Sequence, residues 1–150
     1  MIALANDHAG LELKEIIRHY LSERGVAYTD FGTSSKESCH YPEYALKAAN
    51  AVASGVCERG ILICGTGVGI GIAANKVKGI RCVNCSEPFT AIMSRKHNDT
   101  NMLSLGARVV GSELALMIIQ QWLEAEFEGG RHQVRVSQMC RIEQSGCTEA

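Results

Sequence analysis

At 150 residues, with 46% apolar residues and a formal net charge of −1, the chain has the size and balance of one soluble globular domain. That charge excludes a polycation built to bind nucleic acid, and the apolar content excludes a disordered acidic tail. Met1–Ala5 meets Asn6 and Asp7 too early for a signal peptide, and no later stretch nears the ~20 apolar residues that span a bilayer, so a cytoplasmic protein without a membrane partner is expected.

Strand-like and helix-like patterns then alternate along the chain. Met1–Ala5 predicts a short apolar strand, and Leu11 to about Arg24 a helix with Leu13, Ile16, Ile17, Tyr20 and Leu21 on one face, stopped at Gly25. Val26–Phe31 predicts a second strand. A polar loop from Gly32 to His40 follows, then a helix that Pro42 opens and that runs to about Ser54. Gly60–Cys64, apolar throughout, suits a central parallel strand, and its glycine loop leads to a helix near Ile72–Val77. Further strands are expected at Gly79–Cys85 and Met102–Leu105, with helices from Ser86 or Glu87 to about Lys96, over Glu113–Phe127 and over Gln133–Glu143. Met93, Met102 and Met117 read as core, and His19 as a surface residue.

Such alternation predicts a doubly wound, Rossmann-like α/β domain, with a five-stranded parallel sheet and a C-terminal helical tail. Ligands in that class bind beyond the carboxyl ends of the strands. The loops expected there are Asn6–Gly10, Gly32–Tyr41, Gly65–Gly71 and the stretch around His97–Asn101.

Chemistry concentrates in "CGTGVGIG", where Gly65, Gly67, Gly69 and Gly71 follow Cys64. Glycines let main-chain amides approach an anion, and the next helix adds its positive end. Neither the G-x-G-x-x-G dinucleotide spacing nor the G-K-[ST] phosphate loop is present. Main-chain dipoles favour a thiolate at Cys64, able to act as nucleophile or base; the bland alternative is a buried small residue at a tight turn. Asp7 and His8 end the first strand, with helix capping the plain alternative for Asp7. His97 and Asn98 precede the last strand. Arg131 and Arg135, four apart beside His132, suit one phosphate, or else a solvated helix face.

The seven cysteines, Cys39, Cys57, Cys64, Cys82, Cys85, Cys140 and Cys147, suit buried thiols better than a disulfide framework. Cys82 and Cys85 form a C-x-x-C, but on a strand running into a helix start, and a second ligand cluster for zinc is missing. A thiol base, an amide loop, an Asp–His pair, a further His and several arginines together fit proton transfer beside a carbonyl on a small phosphorylated molecule.

Over nearly its whole length the chain resembles the type B ribose-5-phosphate isomerases, which share a family with galactose-6-phosphate isomerase. The resemblance rests on "DHAG", "DFGT", "YPEYA", "ILICGTGVGIGIAANK", "CSEP", "SRKHNDTN", "RVVG" and "EGGRHQVRV". It implies a metal-free aldose–ketose isomerase without a cofactor, acting on a sugar phosphate. It further implies homodimers, often paired into tetramers, with the site at a subunit boundary and a tail from about residue 132 to 150 packed on the partner.

By the same resemblance Cys64 moves the proton between C1 and C2, and Thr66 assists at the sugar oxygens. Amides of Gly65, Gly67, Val68 and Gly69 would stabilise the enediolate, His97 would open the furanose ring, and Asp7 would help move protons at the ring oxygen. His8, Arg131 and Arg135 would hold the phosphate, with His132 beside them; Asn98 and Arg108 would line the site and Tyr41 close it. Some relatives use a glutamate where this chain has Asn75, so the thiol form is implied here. Asn6 and His40 depart from the usual pattern, which leaves a six-carbon sugar or its 6-phosphate as an alternative substrate. A non-catalytic phosphate-binding module is the alternative of a different class.

Overall fold

The structure, a computed structural model, describes residues 1–145. Five parallel strands, β1 (Ile2–Asn6), β2 (Tyr28–Asp30), β3 (Arg59–Cys64), β4 (Cys82–Asn84) and β5 (Met102–Gly106), form one sheet in the order β2-β1-β3-β5-β4. Six α-helices accompany them: α1 (Leu11–Glu23), α2 (Tyr41–Ala53), α3 (Val68–Ala74), α4 (Pro88–Asn98), α5 (Ser112–Glu124) and α6 (Arg131–Ser145). The expected doubly wound architecture is the one observed.

Both faces of the sheet are covered, so its three central strands are almost continuously apolar and buried. On one face Leu13, Ile17 and Leu21 of α1 pack with Ala91 of α4 and Ile118, Ile119 and Trp122 of α5. On the other, the small residues Ala45, Ala48, Ala49 and Val52 of α2 meet Ile70 and Ala74 of α3. Trp122 is fully buried and its indole N–H donates to Thr100 Oγ1 at 3.0 Å. An indole so enclosed contributes about 4 kcal/mol of apolar transfer. Its one polar atom is satisfied as well.

Chain order reverses at β1 and β3, the central pair, and there the loops after the two strands part. Lys14, buried in α1, holds the loop after β2: its ammonium pairs with Asp30 at 2.9 Å and donates to the Thr33 carbonyl at 2.8 Å. The segment that leads to Tyr41 is thereby fixed at its start.

Several expectations are corrected. The outer strands are shorter than the apolar runs, Tyr28–Asp30 within 26–31 and Cys82–Asn84 within 79–85, because an edge strand pairs on one side only. Helix α3 begins at Val68 rather than near Ile72, running straight through Gly69 and Gly71. Helix α5 stops at Glu124, short of Phe127. Met102 is core, but Met117 lies 54% exposed on the outer face of α5. Apart from these corrections, helix α6 contacts α4 of its own chain, with His132 and Val136 buried and Val134 and Ile142 exposed. The end of the expected tail, residues 146–150 with Cys147, lies outside the described residues.

Candidate active site

The turn after β3 is built by backbone geometry. Gly67 takes φ +79°, and a Cβ there would land on Asn84 Nδ2 and 2.8 Å from the Leu105 carbonyl carbon. Only glycine fits such a left-handed, crowded position. The turn folds the chain back so that the Gly67 N–H donates to Cys64 Sγ at 3.1 Å. The Cys64 sulfur thus sits inside the turn that leads into α3, and the residue is 5% exposed. Gly67→Ala is expected to cost about 2 kcal/mol or more through strain and overlap together. Denaturant unfolding measures this, and an unchanged midpoint would mean that the turn relaxes freely.

Other expected residues gather around this turn. Gly106 ends β5 beneath it: a Cβ would meet the Thr66 carbonyl oxygen at 2.6 Å. Thr66 is exposed at the tip and its Oγ1 accepts the Val68 N–H at 3.3 Å. The Tyr41 ring lies over Gly69, 2.7 Å from where a Cβ would sit. The Arg108 main chain binds the Gly65 carbonyl at 3.0 Å and its side chain reaches over Gly65. Beside β3, the Asp7 N–H donates to the Ile63 carbonyl at 3.1 Å.

Asp7 carries out the plainer of its two expected tasks. Its Oδ1 accepts the N–H groups of Ala9 and Gly10 at 2.9 and 3.1 Å, capping a single 3₁₀ turn over His8–Gly10. Half-buried His8 accepts the Cys39 N–H on Nδ1 at 3.3 Å. That bond leaves Nε2 as the protonated ring nitrogen, a donor for an anion. Asn6 is fully buried and donates to the Asp7 carbonyl at 2.8 Å, so this departure braces the strand end from inside.

The stretch around His97–Asn101 does not join this cluster. It precedes β5, and the Asn101 carbonyl accepts the N–H of Gly60, the residue that opens the apolar part of β3. It therefore lies at the amino edge of the sheet, about 13 Å of strand away from Cys64. Arg131, His132 and Arg135 sit at this edge too, because α6 starts beside the end of α4: the Glu128 N–H binds the Lys96 carbonyl at 3.0 Å. The His97 and His132 rings stack at 4.1 Å and 4°. Burial, then the neighbouring His97, Arg131 and Arg135, hold His132 below the ordinary imidazole range. Arg131 and Arg135 are exposed.

A clamp that the residue pattern did not reveal holds this second group in place. Asp99 ends α4 in the left-handed region at φ 48°. Its carboxylate takes Arg81 at 2.9 Å and Arg95 at 2.8 Å, and Arg81 also binds the Asp99 carbonyl at 2.7 Å. Arg95 then reaches the Thr100 carbonyl and Trp122 the Thr100 hydroxyl. The available signal was Asp99 itself, since aspartate tolerates a left-handed cap better than most residues.

Asn75 and the C-x-x-C pair stand apart from the thiol chemistry. Both ends of the Asn75 amide bind the Cys82 main chain, at 2.7 and 2.8 Å, as a strand partner would. Burial pushes the Cys82 and Cys85 thiols up to about 12, which disfavours redox exchange. Among the described residues no helix is long and apolar enough to cross a membrane.

Comparison with known proteins places these features in context. Residues 2–139 match the family model described as Ribose/Galactose Isomerase. Ribose-5-phosphate isomerase B of Escherichia coli K12 is 59% identical over 143 residues, covering 95% of this chain and 96% of that protein. The solved structure of Clostridium thermocellum ribose-5-phosphate isomerase B superposes with a TM-score of 0.95 at 54% identity, over 97% of this chain and 98% of that one. The Mycoplasma genitalium ribose-5-phosphate isomerase B, solved with bound ribulose-5-phosphate, has a TM-score of 0.92 at 39% identity, over 95% of each chain.

Proposed function

The chain belongs to the ribose/galactose isomerase family, and on that premise we propose that it interconverts D-ribose 5-phosphate and D-ribulose 5-phosphate. The observation that carries the mechanism is the Gly67 N–H on Cys64 Sγ. Cys64 as thiolate takes the proton from C2 of the open-chain aldose, and the electron pair moves onto the C1 oxygen to give an enediolate. The amides of Gly65 and Gly69 stabilise that oxygen's charge, joined by those of Gly67 and Val68, which exchange the sulfur and the Thr66 hydroxyl for it when substrate is bound. The resulting thiol returns the proton to C1 while the C2 hydroxyl proton passes to the C1 oxygen, leaving the C2 carbonyl of the ketose. Thr66 and Asp7 assist at the sugar oxygens, Tyr41 closes over the loop, and Arg108 lines it.

Opposite edges of one sheet hold the two halves of this machinery. His97 and Asn98, with Arg131, His132 and Arg135, therefore serve the thiol of a second copy, in a cytoplasmic homodimer. The partner subunit's His97 opens the furanose ring, and the partner's Arg131 and Arg135 join His8 on the phosphate. Exposed Tyr41, Leu46, Val68, Ile72 and Val109 give the carboxyl-edge half an apolar border for that partner. The chain acts as one domain whose tail, from about residue 132, completes a neighbour's site.

A six-carbon sugar 6-phosphate is the second reading, favoured by His40, exposed next to Tyr41 at the head of α2. A coupled assay with ribose 5-phosphate and allose 6-phosphate in parallel separates the two. The expected result is a kcat/KM higher for the pentose by about tenfold or more, the scale of one surplus carbon unit in a fitted site. The reverse ranking transfers the assignment to the hexose.

A further inference from the structure

We propose that His97, Glu128 and His132 form a binding site for a divalent transition-metal cation of the zinc or cobalt class. The stacked rings bring their nitrogens to one carboxylate oxygen: His97 Nε2 lies 3.8 Å from Glu128 Oε2, and His132 Nε2 lies 3.9 Å from it. One ligand atom from each of the three falls within 4.8 Å of the others. Tetrahedral bonds of 2.0–2.2 Å set ligand atoms about 3.4 Å apart, so the two edges to Glu128 contract by about half an ångström, and the part-exposed His97 ring turns out of its parallel stack on His132 to bring one ion into the plane of both rings. Imidazole and carboxylate donors suit late first-row ions, whereas magnesium and calcium prefer all-oxygen sets.

The main chain already holds the ligands in register. The Glu128 N–H on the Lys96 carbonyl ties that residue to the neighbour of His97, and the His132 N–H binds the Gly129 carbonyl at 3.0 Å. Lys96 takes the other carboxylate oxygen at 3.3 Å, leaving Oε2 for the ion. Arg131 Nε donates to His132 Nε2 at 3.4 Å, which shows a lone pair on that nitrogen; this exposed side chain must swing aside on binding. His97 and Glu128 are 37% and 45% exposed, so a fourth position opens to solvent.

An ion here takes the Nε2 of His97, so it inhibits the isomerase; this consequence, unlike binding itself, rests on the function proposed above. Cobalt(II) titration of the intact chain is the test, because visible ligand-field bands report nitrogen and oxygen donors directly. The expected difference spectrum between wild type and Glu128→Gln shows those bands for one ion per chain, without thiolate-to-cobalt charge transfer. Glu128→Gln weakens that binding by about tenfold or more, Glu128→Asp retains part of it, and His132→Gln loses it. A blank difference spectrum, or one carrying the thiolate band, overturns the site. Circular dichroism checks each fold; if His132→Gln does not fold, the half-exposed Glu128 position decides alone. Inhibition by cobalt that EDTA reverses is measured separately. Binding without inhibition leaves the ion site standing and takes His97 out of the reaction.

Discussion

Cys64→Ala is expected to lower kcat for ribose 5-phosphate by about 10³-fold or more, and to abolish exchange of the C2 proton with solvent. Binding of the sugar phosphate should survive, because the residues proposed to hold the phosphate, His8, Arg131 and Arg135, do not touch the sulfur. Asn75 stands where some relatives use glutamate, but both ends of its amide bind the Cys82 main chain, and Asp7 Oδ1 is occupied by two N–H groups. Truncation to alanine leaves the main-chain bonds of the turn in place, those of the Ala107 N–H to the Cys64 carbonyl and of the Arg108 N–H to the Gly65 carbonyl. Solvent-deuterium exchange at C2, followed by nuclear magnetic resonance, measures the proton step apart from ring opening. Retained exchange in the variant would remove the thiol from the mechanism.

Legibility followed what the chain alone specifies. β1, β3 and β5 stood out because strands covered on both faces must be apolar throughout. β2 and β4 read longer than their spans, since flanking residues still bond the next strand without extending the ladder: the Ala27 carbonyl takes the Ile2 N–H, and the N–H groups of Phe31 and Cys85 reach the carbonyls of Leu4 and Ser104. The glycine loop was found, but its reach was misjudged. Gly71 tolerates no Cβ because Ser104 Oγ would lie 2.6 Å away, and Gly69 is pressed against Tyr41. Those glycines serve close packing inside α3, so helix propensity misplaces its start. The edge on which His97 lies was also legible in principle: it ends a helix that precedes a strand, which in parallel α/β units places it opposite Cys64. Reading it as a carboxyl-edge loop grouped residues by chemistry and overlooked direction. Of the Arg81–Asp99–Arg95 clamp only Asp99 carries a signal in the sequence, because Arg81 reaches it from 18 residues away in the chain.

Mixing two inactive variants should restore activity. Cys64→Ala removes the base at one edge of the sheet, and His97→Asn removes the ring-opening group at the other. In a two-fold symmetric dimer each site takes its thiol from one chain and its histidine from the other. A heterodimer of the two variants therefore holds one doubly damaged site and one intact site. Random exchange makes half the dimers mixed, so recovery to about a quarter of wild-type activity is expected, against about 10²-fold or greater loss in each variant alone. Subunits exchanged in mild denaturant and refolded together, assayed beside each parent treated alike, measure the effect. If both groups instead served one site within a single chain, every heterodimer would carry two damaged sites and the mixture would stay inactive. The separation rests on main-chain bonds: the Asn101 carbonyl holds the Gly60 N–H at the amino edge, while the Cys64 carbonyl holds the Ala107 N–H at the carboxyl edge. A single fold cannot bring those ends together without breaking β3 from β5, so the proposed mechanism requires a second copy.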